Sequence, residues 1–244
     1  RSQPDGVHGP SEVVDPRAFA WTDAGWRPAP FADLVLYECH IGTFTGEGTF
    51  EAAIAALSKA GLSLAECAPA WPSAAERASL GAIQFAGLAA IHGAAYRARP
   101  DLIDPDVARQ IEDGFAVTGI RFGEGVEASQ RVRRAVGAFF GEFDLLLSPT
   151  TACVAWSNRL PGPETIDGQA VDSRGHAVFT PLFNHAQTPA ISIPCGRGRN
   201  GLPVGLQIVG AVGEDRRVLA FARHAERVLA EAGLWNGITA RDLA

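Results

Sequence analysis

Methionine is absent from the 244 residues, and Lys59 is the only lysine among the 21 basic side chains. A chain without methionine does not begin at an ordinary translation start. We therefore expect residue 1 to follow a cut, so that the chain is a fragment, a processed product or a conceptual one. The single lysine leaves one position for any chemistry that needs an unprotonated side-chain amine.

Other absences narrow the class of protein. The net charge of -6 predicts no basic face for nucleic acid and no polybasic membrane anchor. No apolar run is long enough to span a bilayer, and the polar N-terminus predicts no signal peptide. The four cysteines lie singly and far apart, without metal-ligand spacing: Cys39, Cys67, Cys153 and Cys195. We expect reduced thiols, no metal, no cofactor and a cytoplasmic location.

The pattern of apolar residues predicts alternating strands and helices. Segments 143–150, 183–194 and 201–210 hold β-forming residues bounded by Pro and Gly, which favours strands buried on both faces. Shorter strands are predicted at 33–42 and 62–67. Helices are predicted at 50–59, 76–99, 105–118, 125–140 and 214–232. The expected fold class is α/β, a mixed sheet with flanking helices, preceded by an irregular N-terminal segment that carries one strand.

The apolar spacing also predicts which helix faces are buried. In the helix at 76–99 the inward residues are predicted to be Leu80, Ile83, Leu88 and Ile91. In the last helix they are predicted to be Val218, Leu219, Ala222 and Ala225.

Three motifs occur in order along the second half of the chain. They read LLSPT at 146–150, FNHAQTPAISIP at 183–194 and GLPVGLQIVG at 201–210, followed by a helix rich in Ala and Glu. With these motifs the chain resembles the C-terminal half of the amidase signature family, serine hydrolases that cleave carboxamides, over about residues 55–235. The resemblance implies a truncated mixed sheet of the amidase-signature type with flanking helices.

The same resemblance implies a Ser–Ser–Lys triad, with one serine as nucleophile, a second as proton shuttle and a buried lysine as base. The triad belongs to a serine-rich loop and to a lysine earlier in the family pattern. This chain has no Ser-Ser pair, and Lys59 lies in a helix of surface type. We therefore predict no catalytic residue here and no activity of the chain alone.

The beginning of the chain resembles a different family. The stretches QPDGVHGPS at 3–11 and LYECHIGTFT at 36–45 are similar to malto-oligosyltrehalose trehalohydrolase, a glycosidase with an α-amylase-type barrel. The pattern stops near Ala53, and such a barrel needs about 250 residues, so seven of its eight strands are missing. We predict two parts, 1–53 and 54–244, joined naturally, by engineering or by assembly of reads from two genes.

Few residues qualify as site residues. The resemblance to amidases implies that Thr150, Asn184 and His185 line a substrate pocket, although capping of a turn explains Asn184 equally well. Ser148 has no His or Lys near it in sequence, which favours a structural role. Glutamine-specific amidases carry an acidic residue at the position of Ala177, so the resemblance disfavours a glutamine amidotransferase subunit.

Three functions remain open from the sequence. The first is an amidase scaffold without its triad, and the second is a non-catalytic module that binds a small amide or a partner. The third is a glycosidase fragment that binds malto-oligosaccharides through Tyr37, Trp21 and Trp26. A truncated sheet would also leave an open edge through which copies of the chain could self-associate.

Overall fold

The computed structural model describes the backbone of residues 35–38 and, in full, residues 50–172, 174–198 and 201–234. Predictions for residues 1–34 and 39–49 lie outside this part of the chain. The strands are β1 (Val35–Glu38), β2 (Ser63–Glu66), β3 (Leu145–Pro149), β4 (Thr165–Ile166), β5 (Gln169–Ala170), β6 (Ala190–Arg197) and β7 (Pro203–Gly210). The helices are α1 (Phe50–Lys59), α2 (Ala74–Ala78), α3 (Gly81–Ala98), α4 (Pro105–Phe115), α5 (Gly119–Phe139), α6 (Pro181–Ala186) and α7 (Asp215–Glu231). The predicted α/β class is confirmed.

Five strands form one mixed sheet in the order β2-β1-β3-β7-β6. Strand β1 runs parallel to both β2 and β3, whereas β7 is antiparallel to both β3 and β6. Strand β1 belongs to the segment that resembles a trehalohydrolase, yet it pairs within the same sheet as the amidase-like strands. The boundary between residues 53 and 54 stays a prediction.

Successive residues of β3 point to opposite faces of the sheet, as the twofold repeat of a strand requires. Leu145 and Leu147 are fully buried in the larger core, together with residues of α1 and α7. Leu146 packs on the other face, against Phe139 of α5 and Phe183 of α6. The sheet is therefore covered on both sides, which explains why all five residues of β3 are buried.

Several helices begin and end where the sequence predicts. Helix α1 covers the predicted range and is followed by Gly61, whose φ of 97° suits a glycine after a helix. Helix α4 begins at Pro105 behind Asp104, whose carboxylate accepts hydrogen bonds from the first turn. Helix α5 begins six residues before the predicted start, because Thr118 accepts a hydrogen bond from the Arg121 N–H and caps it.

Two segments differ from the prediction. The stretch at 76–99 is split into α2 and α3, and α2 starts at Ala74 because Ser73 and Glu76 form a capping box. The segment at 183–194 begins as a helix, since Pro181 opens α6 and Gln187 ends it in the left-handed conformation with φ of 59°. The strand starts only at Ala190.

Two residues predicted to be buried are exposed. Leu219 is 58% exposed, while Val218, Ala222 and Ala225 of the same helix are buried as predicted. Ile91 of α3 is 75% exposed, because the small residues Ala82, Ala89 and Gly93 form the buried face of that helix.

The helical stretch Ala74–Ala98 is long and apolar enough to cross a membrane by length and composition, with 22% of its apolar window buried. Core helices of soluble proteins meet the same criteria, so the helix by itself is weak evidence for a membrane span.

Candidate functional site

A row of polar side chains crosses the sheet at the end of β3. Ser148 is paired in register with Gln207 of β7, which in turn is paired with Ser192 of β6. The Gln207 amide donates a hydrogen bond of 2.9 Å to the Ser148 hydroxyl oxygen, and both residues are 3% exposed. Next to them, the hydroxyl groups of Thr150 and Ser192 lie 2.6 Å apart. We call Ser148, Thr150, Ser192 and Gln207 the polar row.

Glycine at position 205 makes the close approach within the polar row sterically feasible. A Cβ atom at Gly205 would lie 2.7 Å from the Thr150 hydroxyl oxygen and 2.9 Å from that of Ser192. The Thr150 N–H also donates a hydrogen bond of 3.0 Å to the Gly205 carbonyl. The motif GLPVGLQIVG therefore needs its second glycine to let β7 pass beneath the two hydroxyl groups.

A cavity of about 420 Å³ opens on the same face of the sheet. Its floor includes Leu146 and Ser148 of β3, and its walls come from α2, α3, α6 and the loops beside them. Trp71 and Phe183 meet edge to face there, with ring centroids 5.9 Å apart. The volume and the mainly apolar lining are those of small-molecule sites in proteins.

Two arginines line this cavity. One terminal nitrogen of Arg77 donates a hydrogen bond of 2.8 Å to the Pro72 carbonyl, which holds the guanidinium group at the rim. The carboxylate of neighbouring Glu76 is engaged elsewhere, because hydrogen bonds from Ser73, with a smaller contribution from Arg131, hold its pKa below the usual range. Arg174 projects from the loop before α6.

Neither arginine has a carboxylate within ion-pair distance among residues 50–172, 174–198 and 201–234. Asp172 lies close to Arg174, but its carboxylate accepts from the Arg174 backbone N–H at 2.8 Å. His185 completes the polar lining, and burial lowers its pKa, so the imidazole is neutral at pH 7. The lining of the cavity contains no Asp or Glu within the described part of the chain.

The structure separates the three residues that the amidase resemblance implies. His185 lines the cavity, whereas Thr150 lies in the polar row beside Ser192. Asn184 is exposed on α6, and its carbonyl accepts a hydrogen bond from the Gln187 N–H where that helix ends. Their role in binding stays a prediction for all three.

Sequence patterns did not identify the cavity residues Trp71, Arg77 and Arg174. They belong to segments without a motif, and no spacing connects them, so their proximity follows only from the packing of α2, α3 and α6 on β3. Within the described ranges, no group of three or more His, Cys, Asp or Glu side chains could hold a metal ion.

The fold and this cavity together define an α/β protein with a mixed sheet between helices and a small-molecule site on one sheet face. The amidase family model matches residues 46–219, and the chain belongs to the amidase family. One subunit of glutamyl-tRNA(Gln) amidotransferase from Brevibacillus brevis is 33% identical over 127 residues, which are 50% of this chain and 25% of that protein.

Solved amidase-signature structures share the fold. A bacterial aryl acylamidase of this family superposes with a TM-score of 0.69 and 20% identity over 86% of this chain and 47% of that one. The 6-aminohexanoate cyclic dimer hydrolase superposes with a TM-score of 0.68 and 21% identity over 100% of this chain and 53% of that one. At such identities the likeness establishes the fold alone.

The N-terminal segment matches another family, as the sequence indicates. Malto-oligosyltrehalose trehalohydrolase from Deinococcus radiodurans is 60% identical over 53 residues, which are 22% of this chain and 9% of that protein. The chain therefore spans a quarter or less of the length of the curated relatives it matches.

Proposed function

We propose that the chain is an amidase-family scaffold that holds a small carboxamide in the cavity on β3 but does not hydrolyse it. The observation that carries the proposal is the surroundings of Ser148, the serine that lines the cavity. Its hydroxyl group donates to the Pro149 carbonyl at 3.1 Å and accepts from Gln207. Neither partner is a base, so nothing removes the hydroxyl proton to activate this serine as a nucleophile.

The only lysine supports the same proposal. Lys59 is exposed in the last turn of α1, and α1 packs on the sheet face that carries Leu145 and Leu147. The cavity lies on the opposite face, beside Leu146. With the sheet between Lys59 and the cavity, this amine is not desolvated near Ser148 and has no route to its hydroxyl group.

Two measurements on the purified chain test the proposal. Ammonia release from short aliphatic and aromatic carboxamides is expected to equal the rate in buffer, and the same amides are expected to raise the melting temperature. Turnover that survives repurification and disappears in Ser148→Ala would refute the absence of hydrolysis. Amides that leave the melting temperature unchanged at millimolar concentration would refute the binding.

We further propose that the chain acts in the cytoplasm and self-associates through an end strand of its sheet. Strand β2 is such a strand among the described residues, and Ser63, Ala65 and Glu66 on it are exposed. An unpaired strand edge offers backbone groups to a second chain. Sedimentation velocity of the chain at increasing concentration tests this proposal, and a concentration-independent monomer would contradict it.

The match to trehalohydrolases favours a second function, which is binding of malto-oligosaccharides by the segment 1–53. The match of 60% identity over 53 residues is its support. Affinity electrophoresis in gels with and without maltodextrin is the test. Unchanged mobility would eliminate this function without affecting the proposal for the cavity.

A further inference from the structure

We propose that the natural ligand of the cavity carries a carboxylate group in addition to its apolar body, and that Arg77 and Arg174 bind this carboxylate. The inference rests on the proposed function, since it names the chemical class of the molecule held in that cavity. It follows from the charge of the lining, the unpaired state of both guanidinium groups and the aromatic walls.

The charge of the cavity differs in sign from that of the chain. The protein as a whole has a net charge of -6, whereas the cavity lining has two arginines and, among the described residues, no acid. Other exposed arginines on the helices do have partners, for example Arg109 with Asp106 at 2.6 Å and Arg99 with Asp101 at 2.8 Å. Two guanidinium groups that share one cavity without a carboxylate therefore create a local site for an anion.

The geometry of an arginine suits a carboxylate. A guanidinium group presents several N–H donors in a plane, and these match the two oxygens of a carboxylate. The hydrogen bond from Arg77 to the Pro72 carbonyl occupies one terminal nitrogen and fixes the plane, leaving the other N–H groups for a ligand. His185 adds a neutral polar group to the same lining.

The remaining walls determine the rest of the ligand. Trp71, Phe179 and Phe183 provide aromatic surface, and the last two are 8% and 4% exposed. An apolar lining penalises a highly charged ligand, because each additional charge loses its hydration. A singly charged molecule with an aryl or alkyl body therefore fits this cavity better than a phosphate dianion or a sugar.

Isothermal titration calorimetry with a matched pair of probes tests the inference. Benzoylglycine carries an aryl amide and a carboxylate, and benzoylglycinamide differs only by a neutral second amide in place of the carboxylate. We expect benzoylglycine to bind about tenfold or more tightly, which is the effect of one charge-assisted hydrogen bond. In Arg77→Gln and in Arg174→Gln this preference is expected to fall about tenfold, whereas the exposed Arg121→Gln on α5 retains it.

Each outcome is decisive for one of the two proposals. Equal affinity for both probes would overturn the carboxylate inference and leave amide binding intact. A preference for benzoylglycine that survives in both cavity variants would overturn the assignment to Arg77 and Arg174. Binding of neither probe would overturn the inference together with amide binding, and ammonia release from benzoylglycinamide would overturn only the absence of hydrolysis.

Discussion

Replacement of Ser148 by alanine tests whether this residue is structural. In the folded chain the Gln207 amide, 3% exposed, donates to the Ser148 hydroxyl group at 2.9 Å. Alanine removes the acceptor and leaves a buried N–H group without a partner, which costs about 1–3 kcal/mol of unfolding free energy. Gln207→Leu instead replaces the amide by an apolar group of similar size, and we expect a change of about 1 kcal/mol or less.

The double variant distinguishes a specific bond from general damage to the core. Since Ser148→Ala and Gln207→Leu together leave no orphaned amide, the two changes should not add. The coupling energy from a double-mutant cycle is expected to be about 1–2 kcal/mol. The assay is urea unfolding followed by tryptophan fluorescence, with Ser58→Ala on the exposed face of α1 as a control expected to stay within about 0.5 kcal/mol.

Two results would refute the reasoning. A coupling energy of zero within error would mean that the Ser148–Gln207 hydrogen bond does not contribute to stability. A Ser148→Ala variant as stable as the parent that also lost a measurable amidase activity would identify Ser148 as a catalytic residue.

Three further predictions concern the helices and the pH dependence of stability. Gly114→Ala is expected to cost about 1–3 kcal/mol, because its Cβ would lie 2.0 Å from the Phe85 carbonyl oxygen where α4 crosses α3. Asp104→Ala removes the N-cap of α4 and is expected to cost about 1 kcal/mol in urea unfolding. Burial lowers the pKa of both His185 and His224 from 6.5, so the unfolded chain binds more protons, and the free energy of unfolding should fall as pH drops from 7.5 to 5.5.

Matched variants control these predictions. Gly87→Ala on α3 meets no atom within 4 Å and should stabilise the helix by up to about 1 kcal/mol; equal losses at Gly87 and Gly114 would contradict the steric argument. Asp113→Ala, exposed on α4 but away from its N-cap, is expected to change stability by less than about 0.5 kcal/mol. An unfolding free energy that rises toward pH 5.5, or a pH slope unchanged in His185→Gln, would contradict the histidine prediction.

The helices and strands with a strong local signal were predictable from the sequence. Helix α4 is marked by Asp104 and Pro105, which cap and open it, and α1 ends before Gly61 because glycine adopts a positive φ without strain. Strand β3 was evident from its apolar run before Ser148-Pro149. The amidase resemblance also rested on local motifs, and the family match confirms it.

Predictions of the buried faces failed where packing outweighs hydrophobicity. Leu219 follows the buried Val218 by one residue, and one residue is a rotation of about 100° around a helix, so it points away from the core. On α3 the buried positions are Ala and Gly, since α4 approaches so closely that a Cβ at Gly114 would meet the Phe85 backbone. Sequence patterns indicate which residues are apolar, but not how near the neighbouring helix lies.

The sequence by itself determined the family, the α/β class and the absence of a Ser-Ser pair with a second lysine, since these depend on residue identity and local order. Only the tertiary structure decided that Ser148 bonds Gln207 rather than a base, and that Lys59 and the cavity lie on opposite sheet faces. It likewise brought Arg77 and Arg174, 97 positions apart in the numbering, to one cavity. Contacts between distant segments depend on how helices and strands pack, and no local pattern encodes that packing.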